Sequence, residues 1–361
     1  RMAEALAADD LDEAALRRLV TSRGWASEAE MAAVQAESWG LGAVDLDRDP
    51  PDPALTERIA DPAPLLRRRI LPWQRLAGVT VWATDAPERA LAAMEERKAG
   101  DGPLPAGETL FVVAASGQLD RAFAAAFAAP MAEAAAEGLD ARESVRGLWA
   151  MRAQAGTMIG ASATAAVLAP ETMTVLLLAL LFVMHSLTGA IRLGALVAGL
   201  RAEAAPDHTA PDEAAGRPVI SLLVPLLREA GMVAKIRAAL ERTDYPRHLL
   251  DVKIVVEEAD AETRRAVEAA ALPPWMQVVV VPDGRPRTKP RALNFALPFC
   301  RGEIVGILDA EDRPAPDQFC RVARALAAAP GRVACVQCQL SYYNARQNAI
   351  TRCFQLEYAI W

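Results

Sequence analysis

The sequence predicts an α/β protein whose C-terminal part, residues 217–361, is built on a mostly parallel sheet. Four apolar, β-branched runs alternate with helical stretches in this part, a pattern typical of a parallel sheet covered by helices on both faces. An uncharged run of 19 residues precedes it, and a region of mixed helices and strands comes first. We therefore divide the chain into a small α+β domain at 1–150, a transmembrane helical hairpin at 151–200, a linker at 201–216 and the α/β domain.

Composition and charge exclude several classes of protein. The 361 residues include 39 Lys and Arg against 46 Asp and Glu, and the resulting net charge of −7 argues against a nucleic-acid binder. The three histidines are too few and too scattered to build a metal site, and no Gly-Lys dipeptide of a Walker phosphate loop occurs. All five cysteines follow residue 299, so they form no disulfide framework and indicate a reducing compartment.

The first part of the chain predicts a mixture of short helices and strands. The predicted elements are, in order, helices at 11–20 and 28–38, two strands within 69–82, a helix at 86–98, a strand at 109–115 and a helix at 119–128. Ser27 directly precedes the second helix and is a suitable N-cap residue. Gly78 is expected to form the turn between the two strands, because glycine adopts turn conformations that other residues avoid.

Two stretches without formal charge predict the membrane hairpin, with legs at about 153–170 and 173–195. The second leg contains the uncharged run from Met173 to Ile191, and a helix of about 20 such residues spans a hydrocarbon core of about 30 Å. A buried helix of a soluble domain is the alternative interpretation. Arginines flank the outer ends of both legs while the turn carries only Glu171, so the positive-inside tendency places both soluble parts in the cytoplasm. We expect a multi-pass protein of a lipid bilayer.

Polar residues follow the predicted strands of the last part, whose apolar runs begin at Val219, Val252, Val278 and Ile304. Ligands of parallel α/β sheets bind outside the carboxyl ends of the strands, so these residues are the candidates for a site. The candidates are Pro225 and Glu229 after the first run, Glu257, Glu258 and Asp260 after the second, Lys289 and Asn294 between the third and the fourth, and Asp309, Glu311 and Asp312 after the fourth.

The last of these groups indicates a cation. Asp309, Glu311 and Asp312 place three carboxylates within four residues, and they repel one another unless a cation lies among them. Hard oxygen ligands suit Mg²⁺ or Mn²⁺ carried by a diphosphate. Lys289 opens a helix, where its ammonium and the positive helix end both favour a phosphate. Asn294 can hydrogen-bond a ribose, a sugar or the acidic loop. A solvated turn or surface position is the alternative for each residue taken alone.

Taken in this order, three segments resemble the nucleotide-sugar-binding half of family 2 glycosyltransferases, the GT-A fold shared by bacterial cellulose synthase. The resemblance implies a Rossmann-like sheet, a nucleotide-diphosphate sugar as donor and a divalent metal. It also implies that the acids after the second strand meet the base or ribose, and that either Glu311 or Asp312 completes the metal site with Asp309. The three segments are Val224-Pro225-x-x-x-Glu229 for the first nucleotide loop, Lys289-x-x-x-x-Asn294 beside the diphosphate and Asp309-Ala310-Glu311-Asp312 for the metal.

The same resemblance implies an inverting transferase that makes a polysaccharide or a lipid-linked sugar at the cytoplasmic face of a bacterial inner membrane. Gln337 and Gln339 lie in a segment, 337–344, that resembles the strand with acceptor-side contacts, and 345–361 resembles the amphipathic helix leading to the membrane. The family's catalytic base and its Gln-x-x-Arg-Trp motif are expected beyond Trp361. We therefore expect the chain to be part of a longer protein and assign no catalytic residue.

The first part resembles the N-terminal domain of type II secretion ATPases over about residues 10–130, on the segments GLGAVDLDRDPPDPALTERI and RRRILPWQRLAGVTVWATDAP. Some relatives of that domain bind cyclic di-GMP through helical motifs containing Arg-Leu-Gly. The corresponding stretch here, Leu19–Trp25, lacks this triplet. A cyclic di-GMP-responsive regulatory subunit of an exopolysaccharide system and a catalytically silent membrane scaffold or receptor are the alternatives to an enzyme.

Overall fold

The computed structural model describes two compact units. The first consists of the described residues within Arg1–Gly138 and Glu213–Ala323, and the second of those within Leu139–Asp212 and Arg324–Trp361. The predicted α+β domain and most of the predicted α/β domain therefore lie in one unit. The described residues are 13–99, 104, 108–138, 143, 152–201, 217–338, 340–342 and 344–360.

The N-terminal domain is a four-stranded sheet with helices packed against it. Its strands have the order β1-β4-β3-β2, with β2 antiparallel to β3 and the remaining pairs parallel. Ser27 caps α2 as predicted, since its hydroxyl accepts from the Glu30 amide while the Glu30 carboxylate accepts from the Ser27 amide. The elements are α1 (Glu13–Ser22), α2 (Glu28–Ser38), β1 (Gly42–Val44), α3 (Pro53–Thr56), α4 (Ala63–Arg68), β2 (Ile70–Leu76), β3 (Val79–Thr84), α5 (Pro87–Ala99), β4 (Thr109–Ala114), α6 (Ser116–Ala126) and α7 (Ala128–Glu137).

Two helices occupy the predicted hairpin, α8 (Arg152–Leu168) and α9 (Pro170–Arg201). Proline has no amide hydrogen and is favoured in the first turn of a helix, so Pro170 is suited to begin α9. Within the described residues, one helix is long and apolar enough to cross a membrane, at Pro170–Ala198 with a mean hydropathy of 2.1. None of its apolar window is buried, which is the opposite of what a core helix requires.

A second sheet of four strands, all parallel, forms the glycosyltransferase-like part of the first unit. Its strand order is β7-β6-β5-β8. The chain therefore adds β6 and β7 on one side of β5 and then reverses direction to add β8 on the other side. Such a reversal opens a crevice at the carboxyl ends of β5 and β8, the two strands that lie on either side of it. The elements are β5 (Ile220–Leu226), α10 (Val233–Leu240), β6 (Leu250–Glu257), α11 (Ala261–Ala269), β7 (Met276–Val281), α12 (Lys289–Ala296), β8 (Ile304–Ile307) and α13 (Gln318–Ala328).

The two sheets share a hydrophobic core. One connected cluster of buried side chains includes Phe123 and Phe127 of the N-terminal domain together with Phe295 and Phe299 around α12. All four are at most 1% exposed. Removing apolar surface of this size from water is the main stabilising term in folding, so the two domains stabilise each other.

The described residues within 337–344 form no strand, contrary to the prediction. Residues 333–338 and 340–342 have no regular secondary structure, and Gln339 lies outside the described residues. A strand requires a neighbouring strand to satisfy its backbone groups, and a single sequence does not tell whether that neighbour is present. The helix predicted after it is observed as α14 (Ala349–Ile360), where Glu357 lies 3.6 Å from Arg192 of α9.

Candidate functional site

A cavity of about 600 Å³ opens at the carboxyl ends of β5, β6 and β8, where the strand order reverses. Four separate segments of the chain contribute to it, as expected for a ligand site of a parallel α/β sheet. The predicted site residues that line it are Pro225, Glu229, Glu257, Asp260, Lys289, Asp309 and Glu311.

An ion pair lies in this cavity between the Lys289 ammonium and the Asp309 carboxylate. Their side chains are 46% and 47% exposed, so both remain accessible to a ligand. Lys289 is the first residue of α12 and follows Thr288, which has the extended backbone of an N-cap residue. Pro290 in the first turn favours a helix start at this position, which places the ammonium at the positive end of the helix.

Glu311 and Asp312, the two candidates for the second metal ligand, have different positions in the acidic turn after β8. Asp312 accepts a hydrogen bond at 2.8 Å from the Asp309 amide, and its own amide donates at 3.0 Å to the Asp309 carbonyl. Asp312 therefore closes the turn, whereas Glu311 lines the cavity. The structure thus brings Glu311 and Asp309 to the same cavity surface.

The negative charges in the cavity act on one another. Partial burial raises the pKa of Glu229, and the carboxylates of Glu311 and Asp309 raise it further, while Lys289 opposes them.

Within the described residues, no three His, Cys, Asp or Glu side chains converge into a complete metal cage. Mg²⁺ is usually held in proteins by one or two carboxylates together with substrate phosphates. Asp309 and Glu311 therefore fit a divalent metal that arrives with a diphosphate.

Glu257 ends β6 and forms the buried wall of the cavity. Its burial raises the pKa of the carboxyl group, against the opposing charge of Arg291. The guanidinium of Arg291 lies 3.5 Å from this carboxylate and donates a 2.6 Å hydrogen bond to the Pro282 carbonyl. Arg291 is itself buried, so the pair fixes the first turn of α12 against the sheet.

Asp260 joins the loops that follow β5 and β6. Its carboxylate caps α11 by accepting from the Thr263 amide at 3.2 Å, and it accepts from the Arg228 amide at 2.6 Å. Burial would raise the pKa of Asp260, but these hydrogen bonds hold it below its ordinary value. The Thr263 hydroxyl in turn accepts from the Glu229 amide at 3.1 Å, so this network holds the first loop in place.

Two predicted site residues make other contacts, and a third lies in the other unit. Glu258 accepts a 3.0 Å hydrogen bond from the Asp283 amide, and Asn294 donates at 3.1 Å to the carbonyl of Ala135 in the N-terminal domain. Gln337 is exposed in the second unit. Direct donor or acceptor contacts of these residues stay predictions.

The structure also adds cavity residues that the sequence had not singled out. Arg228, Arg287 and Thr288 line the cavity. Arg287 pairs with Asp283 at 2.7 Å on the adjoining loop. Its position two residues before Lys289 was the available signal, because a second cation in one loop reinforces a phosphate site.

Two parts of the chain match known protein families, in agreement with the architecture described above. Residues 217–361 match the family described as Glycosyltransferase like family 2, and residues 39–133 match the MshEN domain. These two segments are therefore similar to a family 2 glycosyltransferase domain and to an MshEN domain, which confirms the resemblances inferred from the sequence for these parts of the chain.

Particular relatives resemble only part of the chain. The β-monoglucosyldiacylglycerol synthases of Trichormus variabilis and of a Nostoc species are each 26% identical over 151 residues. This match covers 41% of the chain and 32% of each relative, so the chain spans about a third of the length of these curated relatives. A solved structure, mannosyltransferase PcManGT from Pyrobaculum calidifontis in complex with GDP-Man and Mn²⁺, is 31% identical. It covers 45% of this chain and 48% of its own, with a TM-score of 0.34.

Proposed function

We propose that this chain is the donor-binding part of a membrane-bound glycosyltransferase. It takes a sugar from a nucleotide-diphosphate donor and passes it to a polysaccharide or lipid-linked acceptor at the cytoplasmic face of a bacterial inner membrane. The observation that carries the proposal is the cavity at the strand reversal, which combines Lys289 with Asp309 and Glu311. The two relatives are β-monoglucosyldiacylglycerol synthases, and this similarity favours a lipid acceptor.

The residues of the cavity have separate tasks in this reaction. Lys289 would bind the diphosphate, and Asp309 and Glu311 would hold Mg²⁺ or Mn²⁺. When bound, the metal neutralises charge that develops on the leaving diphosphate. We assign Glu257 and Asp260, which line the same cavity, to the base or ribose of the donor.

The transfer is a single displacement. The acceptor hydroxyl oxygen forms a bond to the anomeric carbon while the bond from that carbon to the diphosphate oxygen breaks, which inverts the anomeric configuration. The nucleoside diphosphate leaves, and the hydroxyl proton passes to a general base that we do not assign to these residues.

Donor binding tests the proposal directly. We would titrate the full chain in detergent with UDP, GDP, ADP and CDP and with Mn²⁺ present, by calorimetry. Asp309→Asn should abolish the metal-dependent binding, because it removes a charged metal ligand. Asp317→Asn is the matched control, since Asp317 is equally exposed at 47% but pairs with Arg321 outside the cavity. Equal binding by both variants, or none by the wild type, would leave the silent scaffold as the better interpretation.

Location in the membrane needs its own experiment. The exposed apolar surface of α9 supports a span, and the two-helix arrangement supports a hairpin. Cysteines introduced at positions 140 and 205, on either flank of the hairpin, should react with an impermeant reagent from the cytoplasmic side. Labelling of the two positions from opposite sides would disprove the hairpin.

A regulatory ligand of the MshEN domain is a second proposal, favoured by a further cavity. This cavity of about 360 Å³ lies in the first unit and is lined by several arginines. Cyclic di-GMP, with two phosphodiester charges, suits such a lining. Calorimetry of the full chain with cyclic di-GMP tests this role, and absence of heat would end the proposal. The arginines in the lining are Arg17, Arg18, Arg67, Arg69, Arg89 and Arg301.

A further inference from the structure

One continuous segment, Lys289–Arg301, links the donor cavity to the MshEN domain. At its start, Lys289 pairs with Asp309 in the cavity. At its end, the Arg301 guanidinium lies 2.6 Å from the carboxylate of Asp120, which belongs to α6 of the MshEN domain. The helix α12 forms the first eight residues of the segment and a short helical turn, Leu297–Phe299, follows it.

The middle of this segment also contacts the N-terminal domain, two residues after the part that matches MshEN. Asn294 donates its side-chain amide to the Ala135 carbonyl in the last turn of α7, where helical carbonyls lack partners of their own. Phe295 and Ala296 are 1% and 0% exposed and belong to the core cluster that includes Ala135. Packing of this density leaves α12 little freedom to shift independently of α7.

The far end of the segment is held by a buried polar network. The Arg301 amide donates at 3.0 Å to both the Ser221 hydroxyl and the Asp251 carboxylate. Lys253, which is fully buried, lies 3.0 Å from Asp251 and 3.6 Å from Asp120. The network therefore ties the amino ends of the sheet strands to the MshEN domain.

At the cavity end of the segment, Arg291 is held by Glu257 and Pro282, but the Lys289 side chain itself has weaker constraints. The ion pair between Lys289 and Asp309 is about half exposed, and water screens an interaction of this kind. The position of the Lys289 ammonium thus depends on how the rest of α12 is held, and α7 supplies one side of that support.

We propose that the MshEN domain positions Lys289 for the donor diphosphate through α12, with Ala135 and Asn294 as positioning residues. This inference rests on the proposed function, because it needs Lys289 to bind a diphosphate. Asn294 then has an indirect role in the site. A change in the MshEN domain alters donor affinity through the contact between α7 and α12.

A double-mutant cycle on the full chain tests the inference. Ala135→Leu overpacks a buried position between α7 and α12, whereas Ala134→Leu makes the same change at the exposed neighbouring position. We would measure the dissociation constants of UDP, GDP, ADP and CDP with Mn²⁺ by calorimetry. Ala135→Leu should weaken binding about tenfold or more, since small misplacements of a binding group have large effects. Ala134→Leu should leave it unchanged.

The decisive measurement repeats Ala135→Leu in a Lys289→Ala background. If α12 acts through Lys289, the second substitution should weaken the residual binding by no more than about twofold, because coupled residues are not additive. A merely structural role would weaken binding equally in both backgrounds and would overturn the inference. Ala135→Val, a smaller insertion at the same site, replaces Ala135→Leu if that variant shows no cooperative melting.

The outcomes also separate this inference from the proposed function. Wild-type protein that binds none of the nucleoside diphosphates would refute both. Wild-type binding that depends on Asp309 but is unchanged in Ala135→Leu or Ala135→Val would refute the positioning role alone.

Discussion

Replacing Asp120 with asparagine should destabilise the first unit, because this carboxylate is the shared partner of three cations. It pairs with Arg69 of its own domain and with Arg301 and Lys253 of the glycosyltransferase domain. Its side chain is only 10% exposed. Burial alone would raise the pKa of Asp120, but Arg69 and the other two cations hold it well below the ordinary value.

The expected loss of stability follows from these contacts. Removing one partner of a buried ion pair destabilises a protein by about 3–5 kcal/mol. Asp85 still pairs with Arg69 and Asp251 still pairs with Lys253 in the variant, so we expect the lower end, about 3 kcal/mol. For a folding unit of about 250 residues this corresponds to a fall in Tm of about 6–12 °C.

Calorimetric unfolding of the full chain in detergent measures this change. Arg121→Ala is the matched control, because Arg121 is the next residue of α6 and forms an exposed ion pair with Asp47. Exposed pairs of this kind contribute about 1 kcal/mol or less. If Asp120→Asn lowers Tm no more than Arg121→Ala does, the buried network does not hold the two domains together.

Three further predictions concern stability and reactivity. Folding lowers the pKa of Asp120, so this carboxylate contributes to the free energy of unfolding above about pH 4, and the contribution is lost as the pH falls below 4. A melting temperature that does not change between pH 6 and pH 3 would contradict this. Gly302→Ala would place a Cβ 2.5 Å from the Ser221 amide nitrogen, so we expect the free energy of unfolding in urea to fall by about 1–3 kcal/mol. Gly331→Ala is the control, because its Cβ meets open space and should change the free energy of unfolding much less. Burial raises the pKa of the Cys300 thiol to about 11. Iodoacetamide at pH 8 should therefore modify the exposed Cys353 well before Cys300, as followed by mass spectrometry. Equal rates of modification would refute the burial of Cys300.

The parts of the fold that depend on local pattern could be predicted from the sequence. The cap at Ser27 depends on residues three apart, and the buried strands of the second sheet depend on unbroken apolar runs. The cavity residues Glu229, Lys289 and Asp309 could be predicted for a related reason. Strands of a parallel sheet end at the same edge, so residues far apart in the chain meet there without any knowledge of the detailed packing.

The network between the domains could not be predicted. Asp120 and Arg301 are separated by 181 positions, and nothing in either neighbourhood distinguishes them from surface charges. Lys253 lies inside a strand, where its charge suggests exposure, yet it is fully buried because partners from two domains surround it. For the same reason the contact between Asn294 and Ala135 was missed, since it exists only once α7 packs on α12.

We propose that Asp309 and Glu311 hold a divalent metal on the diphosphate of the donor, with Lys289 beside it. Anomalous scattering from crystals of the full chain grown with Mn²⁺ and a nucleoside diphosphate tests it most directly. We predict a single strong manganese peak within coordination distance of the Asp309 carboxylate and of the diphosphate oxygens, and no such peak in Asp309→Asn. A bound nucleotide whose diphosphate lies away from Lys289 and Asp309, or a manganese peak unaffected by Asp309→Asn, would contradict the claim.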